Sequence, residues 1–105
     1  MVKFVPEEEF DAVTKEGLWI VDFYTEHCGP CKVLDIVIDQ VIYDNPIVNL
    51  AKCDIEKNPA YVERFQVEGT PTVLFMYNGE IKDRWIGAYG RDKIEESIAR
   101  ALYGE

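Results

Sequence analysis

The feature that most constrains the fold is a pair of cysteines at the junction between an apolar run and an amphipathic stretch. Cys28-Gly29-Pro30-Cys31 follows residues 18–25, whose large and β-branched side chains predict a buried strand. Residues 31–44 then predict a helix, because apolar side chains recur on one helical face: Leu34, Val37, Ile38 and Val41. The two thiols are therefore expected where a strand ends and a helix begins.

This location favours a reactive thiol. The first N–H groups of a helix have no intrahelical acceptor, and the helix dipole adds partial positive charge there, so a thiolate on Cys28 is stabilised. Cys31 lies one helical turn further on, faces the scaffold and is close enough to Cys28 to form a disulfide. We therefore predict that Cys28 is the nucleophile and Cys31 the resolving thiol.

These residues and several later motifs make the chain resemble the thioredoxin family over nearly its whole length. A lone Cys-x-x-Cys is a weak signal, shared with zinc sites and haem attachment. Here it occurs in order with other family motifs: Val21-Asp22-Phe23, Lys52 with Asp54, Gly69-Thr70-Pro71-Thr72, and Gly87 before the last helix. The resemblance implies an α/β thioredoxin fold, in which a central mixed β-sheet is flanked by helices on both faces.

Length and charge limit the number of domains and the class of partner. The chain has 105 residues, of which 48% are hydrophobic, so we expect one domain over residues 1–105. Its net charge of −9 argues against nucleic acid or an anionic membrane as a partner. No apolar signal core is found in residues 1–7, and no stretch has membrane-spanning length, so we expect a cytoplasmic protein, most simply a monomer.

The rest of the chain supplies the sheet and its cover. Residues 2–5 and 47–55 predict strands, and helices are predicted to start at Pro6 and at Asn58-Pro59, the first ending near Gly17. Asn78-Gly79 predicts a tight hairpin between strands 72–77 and 80–86. A last amphipathic helix is predicted over residues 91–103. The family resemblance places the second strand in the centre of the sheet.

Asp22 is unusual because it interrupts the apolar run of the central strand. An ionised carboxylate is costly to bury without a partner, and either backbone N–H groups or Lys52 from a neighbouring strand can satisfy it. The resemblance implies a catalytic role, in which the buried aspartate accepts and donates the proton of the resolving cysteine. We expect burial to raise the pKa of Asp22 and Lys52 to moderate the rise.

The resemblance also implies a substrate-binding surface beside the thiols. From the residues alone, Thr70-Pro71 is a rigid turn at the entry to a strand. In the family this proline is cis and leaves the preceding backbone free to pair with an extended substrate segment. The implied docking surface consists of small or rigid residues: Gly29, Pro30, Thr70, Pro71, Gly87 and Ala88.

The implied function is reduction of protein disulfides by dithiol–disulfide exchange, with the cysteine pair as the redox group and no bound cofactor or metal. The implied partners are disulfide-containing client proteins and an electron donor of the thioredoxin-reductase type. Three residues depart from the usual family pattern, namely His27 and Tyr24 where tryptophan is common and Ile36 where a helix-kinking proline is usual. His27, Glu26 and Asp35 are expected to tune the charge around the thiols.

Two alternatives from other functional classes stay open at this point. His27, Cys28, Cys31 and Cys53 form a Cys₃His set that is formally sufficient for zinc. However, Cys53 follows Lys52 on a strand and so points to the opposite face, where a lone cysteine is most often a small core residue. The other alternative is a redox-inactive interaction domain, which retention of both active-site cysteines, Asp22 and Thr70-Pro71 argues against.

Overall fold

The computed structural model describes residues 1–104, which form a mixed sheet with helices on both faces. The strands are β1 (Val2–Phe4), β2 (Leu18–Tyr24), β3 (Val48–Asp54), β4 (Thr72–Tyr77) and β5 (Glu80–Ile86). The helices are α1 (Phe10–Thr14), which a short 3₁₀ turn precedes, α2 (Gly29–Asp44), α3 (Ala60–Phe65) and α4 (Arg91–Tyr103).

The strand order is β1-β3-β2-β4-β5, so β2 lies in the centre of the sheet as expected. Strand β3 runs parallel to both β1 and β2, whereas β4 runs antiparallel to β2 and β5. The predicted hairpin is confirmed, and both residues of its loop have positive φ, Asn78 at 49° and Gly79 at 85°. These angles match the tight hairpin turn that an Asn-Gly pair favours.

Alternation along β2 divides the core between the two faces of the sheet. Trp19, Val21 and Phe23 point to one face, where they pack with aromatic side chains of α1 and α3. Leu18 and Ile20 point to the other face, where they pack with apolar side chains of α2 and α4. Asp22 follows this alternation, so it points to the face that α2 covers.

Element boundaries differ from expectation mainly at the ends of helices, whether the first or the last residue. Helix α2 begins at Gly29 rather than Cys31, because Cys28 is the N-cap residue and Pro30 fits the first turn. Helix α1 ends at Thr14, three residues before Gly17, whose φ of 92° suits the turn into β2. Helix α2 is continuous through Ile36. Within residues 1–104, no helix combines the length and apolar character needed to cross a membrane.

Candidate active site

The two active-site cysteines form a disulfide at the N-terminal end of α2. Their Cα atoms lie 5.2 Å apart, and the backbone N–H of Cys31 donates a hydrogen bond to Cys28 Sγ over 3.1 Å. Cys28 is 7% exposed and Cys31 2%, while His27, Gly29 and Pro30 around them are exposed. A substrate sulfur can therefore reach Cys28 more easily than Cys31.

The position of Cys28 Sγ also favours its charged form. As the N-cap residue, Cys28 precedes backbone N–H groups that have no carbonyl acceptor within the helix. In the reduced protein, the same Cys31 N–H can donate to a Cys28 thiolate, and the helix dipole adds attraction. The local geometry thus stabilises the nucleophile by the two effects expected from the sequence.

Asp22 is completely buried in the central strand β2. Neither of its carboxylate oxygens has a hydrogen-bond partner among residues 1–104. Its nearest cation is Lys52, which is directly opposite in the β2–β3 register and places Nζ 3.8 Å from Asp22 Oδ2. The carboxylate therefore has an ionic neighbour but no direct hydrogen bond.

The pKa of Asp22 is raised from 3.8 to about 7, chiefly because burial penalises the charged form. The positive charge of Lys52 lowers this pKa and the negative charge of Asp35 raises it, but burial outweighs the attraction to Lys52. A carboxyl group with a pKa near neutrality can both accept and release a proton at physiological pH. Asp22 is therefore chemically suited to proton exchange.

Lys52 lies between two carboxylates and against an aromatic ring. Its Nζ donates a hydrogen bond to Asp35 Oδ2 over 2.7 Å, much closer than its 3.8 Å approach to Asp22. The same nitrogen lies 4.5 Å from the centre of the Tyr24 ring, a cation–π contact. The sequence predicted that Asp35 adds negative charge around the thiols but did not predict its hydrogen bond with Lys52.

One face of α2 brings this ionic group and the disulfide together. Cys31 and Asp35 are four residues apart on α2, so their side chains lie one turn apart on the same side of the helix. Asp22 and Lys52 point from β2 and β3 toward α2, so the buried carboxylate lies on the sheet face covered by the helix that carries Cys31. In the sequence, the i,i+4 spacing of Cys31 and Asp35 indicates only that their side chains lie on the same side of α2.

The predicted docking residues lie at the same end of the sheet as the disulfide. Thr72 pairs with Phe23, which places the cis Thr70–Pro71 bond beside the end of β2, where the active-site loop starts. The Gly87 N–H donates to the Pro71 carbonyl over 2.8 Å, and Gly87 has a φ of 111°. Ala88 follows Gly87 in an exposed position. The predicted docking surface therefore lies around one end of β2 and β4.

The two other residues expected to tune the thiols are exposed. The His27 side chain makes no hydrogen bond or ion pair with residues 1–104. Glu26 lies 3.5 Å from Lys57 Nζ, in a pair whose members are both largely exposed. Such surface pairs contribute little energy. Because His27 and Glu26 are both exposed, they lie at the rim of the active site.

Cys53 lies away from the active site. It is fully buried on the sheet face opposite Asp22, among the aromatic side chains that include Phe23 and Tyr61. Burial raises the pKa of its thiol to about 12, although a hydrogen bond with Tyr61 lowers it in part. Residues 1–104 contain no group of three or more His, Cys, Asp or Glu side chains that could hold a metal ion. The alternative zinc site of His27, Cys28, Cys31 and Cys53 is therefore wrong, because Cys53 lies on the opposite face of the sheet from Asp22 and no metal-holding group is found within residues 1–104.

Comparison with known proteins agrees with the fold. The thioredoxin family model matches residues 1–100. The chain is 33% identical to a thioredoxin of Chlamydia muridarum over 100 residues, which cover 95% of this chain and 98% of that protein. It is 31% identical to a thioredoxin of Staphylococcus saprophyticus, with 93% and 95% covered.

Solved structures give the same result. A single-substitution mutant of a thioredoxin from Halobacterium salinarum superposes with a TM-score of 0.85 at 27% identity, covering 95% of this chain and 89% of that one. A thioredoxin from Fasciola hepatica superposes with a TM-score of 0.78 at 31% identity, covering 90% and 89%.

Proposed function

The chain belongs to the thioredoxin family and is a protein-disulfide reductase whose redox group is the Cys28–Cys31 pair, and we propose that Cys28 is its nucleophile and Cys31 its resolving thiol. The observation that carries this assignment is the hydrogen bond from the Cys31 N–H to Cys28 Sγ at the start of α2. It supports a stabilised thiolate on Cys28, the cysteine nearer to the exposed rim.

The reaction proceeds by two thiolate–disulfide exchanges. The Cys28 thiolate attacks one sulfur of a substrate disulfide, forms a mixed disulfide and releases the first substrate thiolate. The Cys31 thiolate then attacks Cys28 Sγ, which forms the Cys28–Cys31 bond and releases the second substrate thiolate. Two electrons pass from the enzyme dithiol to the substrate, and each released thiolate takes up a proton according to its pKa.

Asp22, assisted by Lys52, is proposed to handle the proton of Cys31. The resolving thiol must lose its proton before it attacks, and the buried carboxylate, whose pKa is about 7, lies on the sheet face covered by the helix that carries Cys31. Lys52 keeps part of the negative charge compensated when Asp22 is ionised. When the enzyme is reduced again, the same carboxyl group can return the proton to Cys31.

Substrate backbone is proposed to bind beside the cysteines. Gly29 and Pro30 are exposed at the thiols, and Thr70, Pro71 and Gly87 lie at the adjoining end of the sheet, with Ala88 next to them. An extended peptide segment can pair with the backbone of Thr70, while the small side chains allow its disulfide to approach Cys28.

Membership in the family gives two classes of partner, namely disulfide-containing client proteins and a reductase that donates electrons. We further propose that residues 1–105 form one domain that acts as a cytoplasmic monomer without nucleic acid or membrane partners. The net charge of −9 supports the exclusion of polyanionic partners. Size-exclusion chromatography with light scattering tests the monomer.

An insulin-reduction assay with dithiothreitol as the electron source tests the proposed function. We expect the wild-type protein to accelerate reduction of the insulin disulfides and Cys28→Ser to lose that acceleration. Cys53→Ala is the matched control, because it also removes one thiol but lies on the opposite face of the sheet. Full activity of Cys28→Ser, or loss of activity in Cys53→Ala with an intact fold, would overturn the assignment.

A further inference from the structure

We propose that Asp35 is a positioning residue, which holds the Lys52 ammonium away from Asp22 so that the buried carboxylate stays able to accept the proton of Cys31. This inference rests on the proposed role of Asp22 and adds a residue to it. Asp35 touches neither the disulfide sulfurs nor substrate in this assignment. It acts by holding Lys52 and by the effect of its own negative charge on Asp22.

The contacts of Lys52 show an unequal division between the two carboxylates. Its Nζ forms a hydrogen bond of 2.7 Å with Asp35 Oδ2 but stays 3.8 Å from Asp22 Oδ2. The Asp22 carboxylate is left with no hydrogen bond among residues 1–104, and Asp35 Oδ1 is also buried without a partner. Lys52 therefore forms its hydrogen bond with the less buried of the two carboxylates. The Asp35 side chain is 32% exposed, whereas that of Asp22 is 0% exposed.

The net charge of Asp22, Lys52 and Asp35 shows how the second carboxylate affects proton uptake by Asp22. With all three groups ionised, Asp22, Lys52 and Asp35 carry one excess negative charge in a largely buried site. Uptake of one proton by Asp22 makes the group neutral. If Asp35 were absent, the ionised Asp22–Lys52 pair would already be neutral, and protonation of Asp22 would leave Lys52 as a poorly solvated cation without a partner. The second carboxylate thus makes proton uptake by Asp22 favourable.

Lys52 and Asp35 are the charged residues that face Asp22. Strand β3 contributes Lys52, and helix α2 contributes Asp35 together with the thiol of Cys31. On the other side of β2, strand β4 places the apolar Val73 opposite Asp22. On its own strand, Tyr24 lies two residues further on, and its ring contacts Lys52.

Helix α4 covers the same face of the sheet through β4 and β5, and its buried side chains are the uncharged Ile94, Ser97 and Ala101. Apart from burial, the charges that act on Asp22 are therefore those of Lys52 and Asp35.

The test is a pH titration of the Asp22 side-chain carboxyl carbon by NMR in the oxidised full-length protein. We expect Asp35→Asn to lower the titration midpoint of Asp22 by about one pH unit or more, because a like charge is lost and Lys52 is released toward Asp22. Asp35→Glu keeps a carboxylate and is expected to restore the wild-type midpoint. Asp35→Ala carries the same expectation as Asp35→Asn and replaces it if that variant does not fold.

Asp39→Asn is the matched control, since it removes the same charge from an exposed position one turn further along α2. It is expected to keep the wild-type midpoint. An unchanged midpoint in both Asp35→Asn and Asp35→Ala would overturn the proposal, and so would an equal shift in Asp39→Asn, which would show a general effect of net charge.

A second measurement separates this proposal from the role of Asp22. The rate at which Cys31 resolves a preformed mixed disulfide on Cys28 is followed against pH in single-turnover experiments. We expect its pH profile to move to lower pH in Asp35→Asn by the same amount as the NMR midpoint. A shifted NMR midpoint with an unshifted rate profile would support positioning by Asp35 and overturn Asp22 as the proton acceptor.

Discussion

Lys52 lies directly opposite Asp22 across two parallel strands, and its ammonium nitrogen is 3.8 Å from a carboxylate that is completely buried. This separation is too long for a hydrogen bond, so the attraction between them compensates the burial of Asp22 only in part. The fold therefore keeps a carboxylate that destabilises it at neutral pH. Such a cost at a redox site is typical of a group retained for its chemistry.

The first prediction is that Asp22→Ala stabilises the oxidised protein at neutral pH. The pKa of Asp22 is raised from 3.8 to about 7 in the folded protein, so this group costs stability above pH 3.8. Up to about pH 7 the cost grows because the folded carboxyl must take up a proton that the unfolded one has lost, and beyond that pH it is constant because the carboxyl is ionised in both states. A shift of this size corresponds to about 4 kcal/mol at most, and lost packing offsets part of it. We expect a net gain of about 2 kcal/mol above pH 8 that disappears below pH 4.

Urea denaturation of the wild type and the variant between pH 3 and pH 9 measures this gain. Asp39→Ala is the control, because it removes an exposed carboxylate from α2 and is expected to show no comparable dependence on pH. A constant difference in unfolding free energy between wild type and Asp22→Ala across this range would contradict the raised pKa.

The second prediction concerns the order of the two thiols. Cys31→Ser retains the nucleophile but cannot resolve the mixed disulfide, so we expect it to accumulate as a covalent adduct with a protein substrate. Mass spectrometry after trypsin digestion identifies the cysteine that carries the substrate. An adduct on Cys28 agrees with the proposed roles, whereas normal turnover by Cys31→Ser would reverse them.

The third prediction is that Cys53 is inert in the folded protein. Its thiol is fully buried and has a pKa of about 12, so almost none of it is ionised at pH 8. In the oxidised protein, Cys53 is the one cysteine outside the disulfide, and we expect Ellman's reagent to detect no rapidly reacting thiol. One thiol is expected to react in guanidinium chloride. Rapid stoichiometric reaction without denaturant would disprove the burial of Cys53.

The fourth prediction concerns a buried polar contact between α4 and β5. The Trp85 Nε1–H donates to Ser97 Oγ over 3.1 Å, and the Ser97 hydroxyl donates to Asp83 Oδ2 over 2.7 Å. Because Ser97→Ala leaves the indole N–H without this acceptor, we expect it to lower the unfolding free energy by about 1–3 kcal/mol. In a Trp85→Phe background, which lacks the indole N–H, Ser97→Ala is expected to lower the unfolding free energy by less. Equal losses in the two backgrounds would show that Trp85 and Ser97 are not energetically coupled.

Most of the fold could be predicted from sequence because its local signals agree with one another. Strands β4 and β5 and helix α4 have the predicted bounds, since Asn78-Gly79 determines the hairpin and apolar spacing defines the helix. Helix α4 also carries two i,i+4 ion pairs, at 3.5 Å for Arg91–Glu95 and 3.8 Å for Arg100–Glu96. By contrast, the central position of β2 came from the family resemblance, because local patterns do not specify strand order.

The candidate site was predictable in its residues but not in all of its contacts. Lys52 was one of two partners considered for Asp22, and the β2–β3 register places it directly opposite. Its shorter contact with Asp35 depends on the rotation of α2 about its axis and on the rotamer of a long side chain. Neither quantity follows from spacing along the chain, so the competition between two carboxylates for one lysine became visible only in three dimensions.

The last prediction concerns His27, which stands next to the nucleophile where the family commonly has tryptophan. Its side chain is exposed and makes no hydrogen bond or ion pair within residues 1–104. Water and salt screen charges at such a position, with a Debye length of about 8 Å at physiological ionic strength. We therefore expect His27 to act through contact with protein substrates and not through the charge of its ring.

The pH dependence of Cys28 alkylation by iodoacetamide separates these two effects. In about 0.15 M salt we expect superimposable curves for wild type, His27→Ala and His27→Trp, because the small reagent senses only the thiol. With insulin as substrate, we expect His27→Ala to reduce the rate several-fold through lost contact area, and His27→Trp to retain most of it. An alkylation curve that moves to higher pH in His27→Ala, most strongly at low salt, would show that the histidine charge stabilises the Cys28 thiolate after all.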